Sequence, residues 1–343
     1  MNKILIGLAG AALGYTAFKL YKQVTAYSLK DKVVLITGGT HGLGFVLARK
    51  CLDEQAKVVI CGRNQENLSS ALERLGKNNT NVLAIPCDVT KRSEVKKIVE
   101  LTLEKMGTID VLINNAGIIQ FGPFESMTEE DFDKSMDVHF RGPMVAVMEI
   151  VPHMIKKGGG RIVNISSVGG KVPVPHLLPY TASKYALNGF SLGLRSELRQ
   201  YGIHVTTVNP GLIRTGSARY IGTKGEFEKE LAFFSTLGIL PLITMSAGYA
   251  AGRIITALKY NKAEITLSLP AKLLAGIQFF FPGMVTTIFA LVNKYLPRPT
   301  GSVEKREGTE ISTRYFPSFV VRRYAKLAEK YNQVPGRGAV SNL

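Results

Sequence analysis

Cysteine is scarce: Cys51, Cys61 and Cys87 are the only three in 343 residues. An odd number without metal-ligand spacing argues against a disulfide framework or a cysteine metal centre, and fits reduced thiols in strands or core of a cytosol-facing protein. Acidic side chains are also few, 26 against 43 Lys and Arg, leaving a formal charge of +17. Such a balance attracts anions: a phosphorylated cofactor, an acidic membrane surface or nucleic acid. No dense basic run with interleaved aromatics occurs, so nucleic acid is the least supported partner, and no metal site is expected. Hydrophobic residues make up 45% of the chain. That content supplies a sizeable core, and the length suits one large α/β domain with appended ends.

Uninterrupted apolar runs of membrane-spanning length are missing too. Ile4 to Phe18 gives fifteen uncharged residues between Lys3 and Lys19, short of the ~20 of a spanning helix but workable with snorkelling lysine stems. Ala9-Gly10-Ala11 offers small residues near a cleavage point, so a signal peptide competes. An uncleaved anchor over residues 1–28 is preferred, with the catalytic body cytosolic, because Lys19, Lys22, Lys30 and Lys32 lie on the body's side. Leu273 to Asn293 is 21 residues without a charge, yet Pro282-Gly283 breaks it. Two short helices, packed on the body or lying in a membrane interface, are expected. Phe319 to Tyr331 is amphipathic and carries Arg322, Arg323, Lys326 and Lys330, which suits docking on the body or on anionic lipid. Residues 269–343 thus read as an apolar, then basic, extension.

The body opens with a buried-strand pattern, Lys32 to Ile36, running into Thr37-Gly38-Gly39-Thr40-His41-Gly42-Leu43-Gly44 and a helix beginning near Phe45. Strand, glycine-rich turn and helix make a phosphate cradle, because glycine permits close backbone approach and a helix N-terminus favours negative charge. A second strand, Ala56 to Cys61, ends in Gly62-Arg63-Asn64. Where an acid would hold a ribose 2′-hydroxyl, Gly62 followed by Arg63 suits a 2′-phosphate, which points to NADP(H). Further strands over Val82 to Ile85 and Val111 to Ile113 lead to Cys87-Asp88-Val89 and Asn114-Asn115-Ala116-Gly117. The alternation with helices implies a doubly wound parallel α/β sheet with ligand sites at the strand carboxyl ends. Asp88 is placed for an adenine amino group, with a turn or N-cap role as the default alternative.

Later in the chain, Pro179-Tyr180-Thr181-Ala182-Ser183-Lys184 opens a helical pattern and puts a phenol and an amine four residues apart, on one helical face. Tyrosine titrates near pH ~10, and a fixed ammonium stabilises its phenolate. Tyr180 is thereby a candidate general acid or base. A strand precedes it at Arg161 to Ile165, ending in Ser166-Ser167, and strands follow at Val205 to Val208, ending in Asn209-Pro210-Gly211, and at Ala263 to Ser268.

Thr37-Gly38-x3-Gly42-x-Gly44, Asn114-Asn115-Ala116-Gly117, Ser167 with Tyr180-x3-Lys184, and Asn209-Pro210-Gly211 with Thr215 stand in the order of the short-chain dehydrogenases/reductases. The chain resembles that family over roughly residues 30 to 268. The resemblance implies a Rossmann-type sheet of about seven strands, with an N-terminal apolar helix and a C-terminal helical extension added here. It implies Tyr180, Lys184 and Ser167 as catalytic residues, with Ser166 the near alternative to Ser167. Cofactor contacts are implied at Thr37, Gly38, Thr40, His41, Gly42, Leu43, Gly44, Arg63, Asp88, Val89, Asn115, Ala116, Gly117, Tyr180, Lys184, Pro210, Gly211 and Thr215. Gly216 to Leu240, carrying Tyr220, Phe227, Phe233 and Phe234, corresponds to the variable substrate lid. One position departs from the pattern: His139 stands where an Asn holds a relay water; imidazole can replace it in that task, and a packed structural histidine is the alternative.

The expected activity is NADP(H)-dependent interconversion of a carbonyl and a secondary alcohol, with Lys184 depressing the Tyr180 pKa and Ser167 orienting the carbonyl. The apolar lid and anchor suggest a lipophilic substrate, a membrane partner, and a homodimer or homotetramer as the family commonly forms. Alternatives are a membrane-tethered, non-catalytic dinucleotide sensor or scaffold, and a dehydratase or epimerase using the same tyrosine.

Overall fold

The computed structural model describes residues 26–77 and 79–334. The expected anchor, residues 1–28, therefore lies outside the described residues apart from its last three. The first half alternates strictly: β1 (Val33–Thr37), α1 (Gly42–Asp53), β2 (Lys57–Gly62), α2 (Gln65–Gly76), β3 (Val82–Pro86), α3 (Arg92–Met106) and β4 (Val111–Asn114). After a short β5 (Ile119–Phe121) come α4 (Glu129–Met136), a π-turn over Asp137–Arg141, α5 (Gly142–Lys156), β6 (Gly160–Ile165), α6 (Leu178–Leu198) and β7 (Ile203–Pro210). The chain continues through β8 (Leu212–Arg214), β9 (Ile221–Thr223), α7 (Phe227–Leu237), β10 (Thr244–Ser246), α8 (Ala247–Lys259) and β11 (Glu264–Leu267). The extension holds α9 (Leu269–Phe280), α10 (Pro282–Asn293), β12 (Arg306–Glu307) and α11 (Ser318–Lys330).

Seven parallel strands form the main sheet in the order β11-β7-β6-β4-β1-β2-β3. Helices cover both faces, which is why β1 and β4 are runs of Val, Leu and Ile buried at every position rather than alternating. The chain winds outward from β1 through β2 to β3, then returns to place β4 on the other flank of β1. Strand order reverses between β1 and β4, and the carboxyl ends there flank a crevice suited to a ligand.

One boundary differs from the sequence expectation. The first helix starts at Gly42 rather than near Phe45, because the second half of the glycine-rich turn is itself the first helical turn. The lid region is tied to the extension. β9 lies between β5 and β12, and α7 buries Leu231 and Ala232 in one cluster with Ile311, Phe316, Val320 and Tyr324 of the extension. The Tyr324 hydroxyl donates to the Ser235 carbonyl (3.0 Å), so α11 is docked on the body.

The charge-free run forms two helices, bent by 119° where Pro282 begins the second. Among the described residues no single helix is long and apolar enough to cross a membrane.

Candidate active site

The glycine-rich turn closes against the loop after β4. Thr37 Oγ1 accepts the backbone N–H groups of Asn115 (3.0 Å) and Ala116 (3.2 Å), and Asn115 Nδ2 donates back to the Thr37 and Gly38 carbonyls (3.1 and 3.0 Å). Gly38 has φ +64°, and a Cβ there would stand 2.8 Å from the Ala116 Cα. Only glycine allows that approach. Gly42, φ +59°, starts α1, whose first N–H groups are unpaired by the helix itself. Positive φ, tight apposition and a helix N-terminus together fit a dinucleotide's phosphates.

Beside this cradle, α6 carries Tyr180 and Lys184 one turn apart, and Ser167 lies two residues past the end of β6. Ser167 Oγ accepts from the Gly169 N–H (3.0 Å), and it and the Tyr180 ring stand on either side of Gly169, 3.4 and 3.2 Å from where a Cβ there would be. Ser166 turns to the other side, where its hydroxyl donates to the Lys184 carbonyl (3.0 Å). Of the two candidate serines, Ser167 therefore faces the phenol. Alternation along an extended strand end accounts for the difference.

Lys184 is buried at 4% exposure, and its ammonium donates to the Ile165 carbonyl (2.9 Å). Burial pushes its pKa down to about 7. Desolvation raises the Tyr180 phenol above its ordinary value, against the lowering effect of the Ser167 hydroxyl. In this geometry the amine is 5.7 Å from the phenol ring's centroid, and burial disfavours both charges.

His139 is held by protein groups at both ring nitrogens. Its Nε2 accepts the Ile118 N–H (3.1 Å), so the neutral ring carries its proton on Nδ1, facing Ser183 Oγ at 2.8 Å. The Ser183 hydroxyl in turn donates to the Tyr180 carbonyl (2.8 Å). Both ring nitrogens are committed to protein groups, leaving neither for a relay water. Burial, with repulsion from Lys184, holds the ring well below its usual pKa. His139 packs edge-on against Tyr180 at 5.2 Å.

Other predicted residues divide between the cleft and the frame. Thr215 lies against the glycine-rich turn, 3.7 Å from where a Gly42 Cβ would be. Gly211 follows β7 and donates its N–H to Leu267 (3.4 Å). Asp88 Oδ1 accepts from the Thr90 N–H (3.0 Å) and hydroxyl (2.8 Å), the turn alternative rather than an adenine contact for that oxygen. Val89 packs its carbonyl against Gly142. Leu43 and Gly44 occupy the first turn of α1, Gly117 faces His139, and Pro210 ends β7. His41 stacks on Tyr220 at 4.8 Å, pairs with the Thr40 hydroxyl (2.9 Å), and is pushed down to about 4 by burial and then by Arg63.

No motif marks several further residues here. Lys134, on α4, has its pKa lowered by burial, then by Lys305 of the extension and by Arg63, with Glu130 opposing. The Tyr331 carbonyl accepts the Gly42 N–H (2.8 Å), and Asn332 Nδ2 donates to the Thr40 carbonyl (2.8 Å). The tail is nearly 300 residues from the turn it touches, so local spacing gives no signal. Lysines on separated elements are equally silent in sequence.

Comparison with known proteins bears on this geometry. Residues 32–225 match the family model described as short chain dehydrogenase. The human dehydrogenase/reductase SDR family member 4 is 33% identical over 228 residues, covering 66% of this chain and 82% of that protein. An uncharacterized oxidoreductase of Staphylococcus saprophyticus is 33% identical over 188 residues, 54% of this chain and 80% of its own length. The crystal structure of a short-chain dehydrogenase from Streptomyces avermitilis superposes with TM-score 0.67 at 27% identity, covering 78% of this chain and all of that one.

Proposed function

The chain belongs to the short-chain dehydrogenase/reductase family of NAD(P)-linked oxidoreductases, and from that premise we propose that it interconverts a carbonyl and a secondary alcohol on a lipophilic substrate, using NADP(H), with Tyr180 as general acid and base. The observation that carries this reading is the convergence of the Ser167 and Tyr180 side chains at Gly169 beside the glycine-rich cradle, with Lys184 one helical turn beyond.

In the reductive direction Ser167 Oγ donates a hydrogen bond to the substrate carbonyl oxygen and fixes it at the phenol. As negative charge develops on that oxygen, Tyr180 transfers its hydroxyl proton and leaves an alcohol. Lys184 holds ribose hydroxyls and, when protonated, compensates the phenolate. The bound cofactor supplies the hydride to the carbonyl carbon. In the oxidative direction the phenolate takes the proton back.

The NADP(H) preference is supported by Arg63 at the end of β2, reinforced by Lys134 and Lys305. Burial first, then Lys305 and Arg63, lower the pKa of Lys134; an anion among these cations relieves their repulsion, and a 2′-phosphate is such a group. The lipophilic substrate is supported by the exposed apolar elbow of α9 and α10, which begins immediately after β11.

The test is spectrophotometric: purified protein in detergent, NADPH against NADH, with a panel of hydrophobic ketones. Oxidation of NADPH in preference to NADH is expected. Tyr180→Phe is expected to lower turnover by more than about a hundredfold while NADPH still binds. Turnover within a few-fold of the parent defeats the assignment of Tyr180. The committed nitrogens of His139 favour a second reading, a dinucleotide-binding protein without turnover. Cofactor binding with no consumption on any ketone distinguishes it.

A further inference from the structure

The extension ends in a strap across the glycine-rich turn. After α11 the chain passes Tyr331, Asn332 and Gln333, all at 7% exposure or less. Its fastenings are specific. Arg74 donates to the Glu329 (2.7 Å) and Lys330 (3.2 Å) carbonyls, and the Ser70 hydroxyl donates to Asn332 Oδ1 (2.7 Å). Asn332 Nδ2 reaches the Thr40 carbonyl, the Gly42 N–H reaches the Tyr331 carbonyl, and the Tyr220 hydroxyl donates to the Gln333 carbonyl (2.9 Å).

One group in this assembly is left over. The Gln333 amide is buried at 1% exposure, yet neither its nitrogen nor its oxygen has a partner among the described residues. Its Nε2 stands 3.2 Å from the position of a Gly42 Cβ, on the side where Thr215 is 3.7 Å away. A buried amide without partners destabilises the fold, since its desolvation is not offset by a hydrogen bond. Fixing such a group between two residues of the cofactor cradle has a physical rationale if a ligand completes its bonding.

We propose that the Tyr331–Gln333 strap is the outer wall of the dinucleotide site, with the Gln333 amide donating to a phosphate oxygen of the bound cofactor. This rests on the dinucleotide reading above and adds to it a residue from outside the matched family region, which ends at residue 225. The strap joins the α1 N-terminus on one side and α2, through Ser70 and Arg74, on the other. A cofactor lying along the cradle is therefore enclosed by it, and leaves only when the strap lifts.

The test uses the full chain with NADPH fluorescence for affinity and stopped flow for release. Gln333→Met keeps the length and burial but removes both polar atoms. It is expected to raise the NADPH Kd about tenfold, mostly through faster release, with an apo melting temperature equal to or above the parent's because no protein bond is lost. Gln333→Glu places an anion against the phosphate and is expected to weaken binding further. Affinity and release rate unchanged in both variants, while the parent binds NADPH, overturn the proposal and leave the dinucleotide reading standing. Tighter binding by Gln333→Met also overturns it, since the strap would then obstruct the site. A parent chain that binds neither NADPH nor NADH fails the dinucleotide reading itself.

Discussion

Lys184 is a cation placed where charge is disfavoured, and its effect on stability is opposite in sign to that of a paired lysine. Burial lowers its folded pKa to about 7 from an ordinary 10.5, so between those values the unfolded chain binds more protons than the folded one. Stability contributed at this site therefore rises with pH across that window. At lower pH the group is charged in both states and the desolvation penalty is fully present. Lys184→Met is expected to raise the melting temperature at pH 6, with the gain shrinking by pH 9. A gain that is equal at both pH values contradicts the assigned burial. His139 acts in the same direction one window lower, losing stability as pH falls below its ordinary 6.5. How far residues can be read from sequence follows from the same site. Tyr180 and Lys184 are legible because four residues on a helix fix their separation. The choice between Ser166 and Ser167 needs the strand's orientation, and the locking of His139 needs the Ile118 N–H and Ser183, which no linear pattern brings together.

At the scale of elements, glycine placement and apolar runs reveal β1, α1, β2 and β4, because parallel buried strands and a tight turn impose local composition. What α11 packs against is not local. Its amphipathic pattern leaves docking on the body and docking on anionic lipid both open, and the outcome depends on α7 offering Leu231, Ala232 and Ser235. The two faces of α11 give the discriminating measurement. Val320 is fully buried, so Val320→Ala is expected to cost about 2 kcal/mol, from two lost methyl equivalents and the cavity left behind. Phe319 is exposed at 54%, and Phe319→Ala is expected to change stability by less than about 0.5 kcal/mol. Urea midpoints at constant slope compare the two. Equal effects would mean that α11 does not use this face against the lid.

For the whole molecule, the informative feature is which end of the sheet carries the apolar elbow. α9 starts directly after β11, and Ser268 Oγ caps it by accepting the Ala271 N–H (3.3 Å). Ala271 Cβ lies 3.4 Å from where a Gly211 Cβ would be, so the elbow is rooted at the strand carboxyl ends, beside the cofactor motif. Phe279, Phe280 and Phe281 stand exposed at its bend, and Lys272 and Lys294 flank the charge-free stretch. The described chain begins at the opposite end of the sheet, where the Tyr27 N–H donates to Lys259 (3.0 Å) and Arg161 covers the Tyr27 ring. An aromatic bend with flanking cations suits insertion into an anionic bilayer surface. Inserted in that way, the elbow would turn the cleft towards the lipid, a route by which an apolar substrate would not cross water. Binding to phosphatidylserine vesicles is expected to persist in a chain lacking residues 1–25 and to fall at least tenfold when Phe279, Phe280 and Phe281 are all changed to Ser, each lost ring removing about 1.5–3 kcal/mol of burial. Cosedimentation reads both. Loss of binding on removing residues 1–25, with the serine variant unaffected, would assign the attachment to the N-terminal segment and turn the cleft away from the lipid.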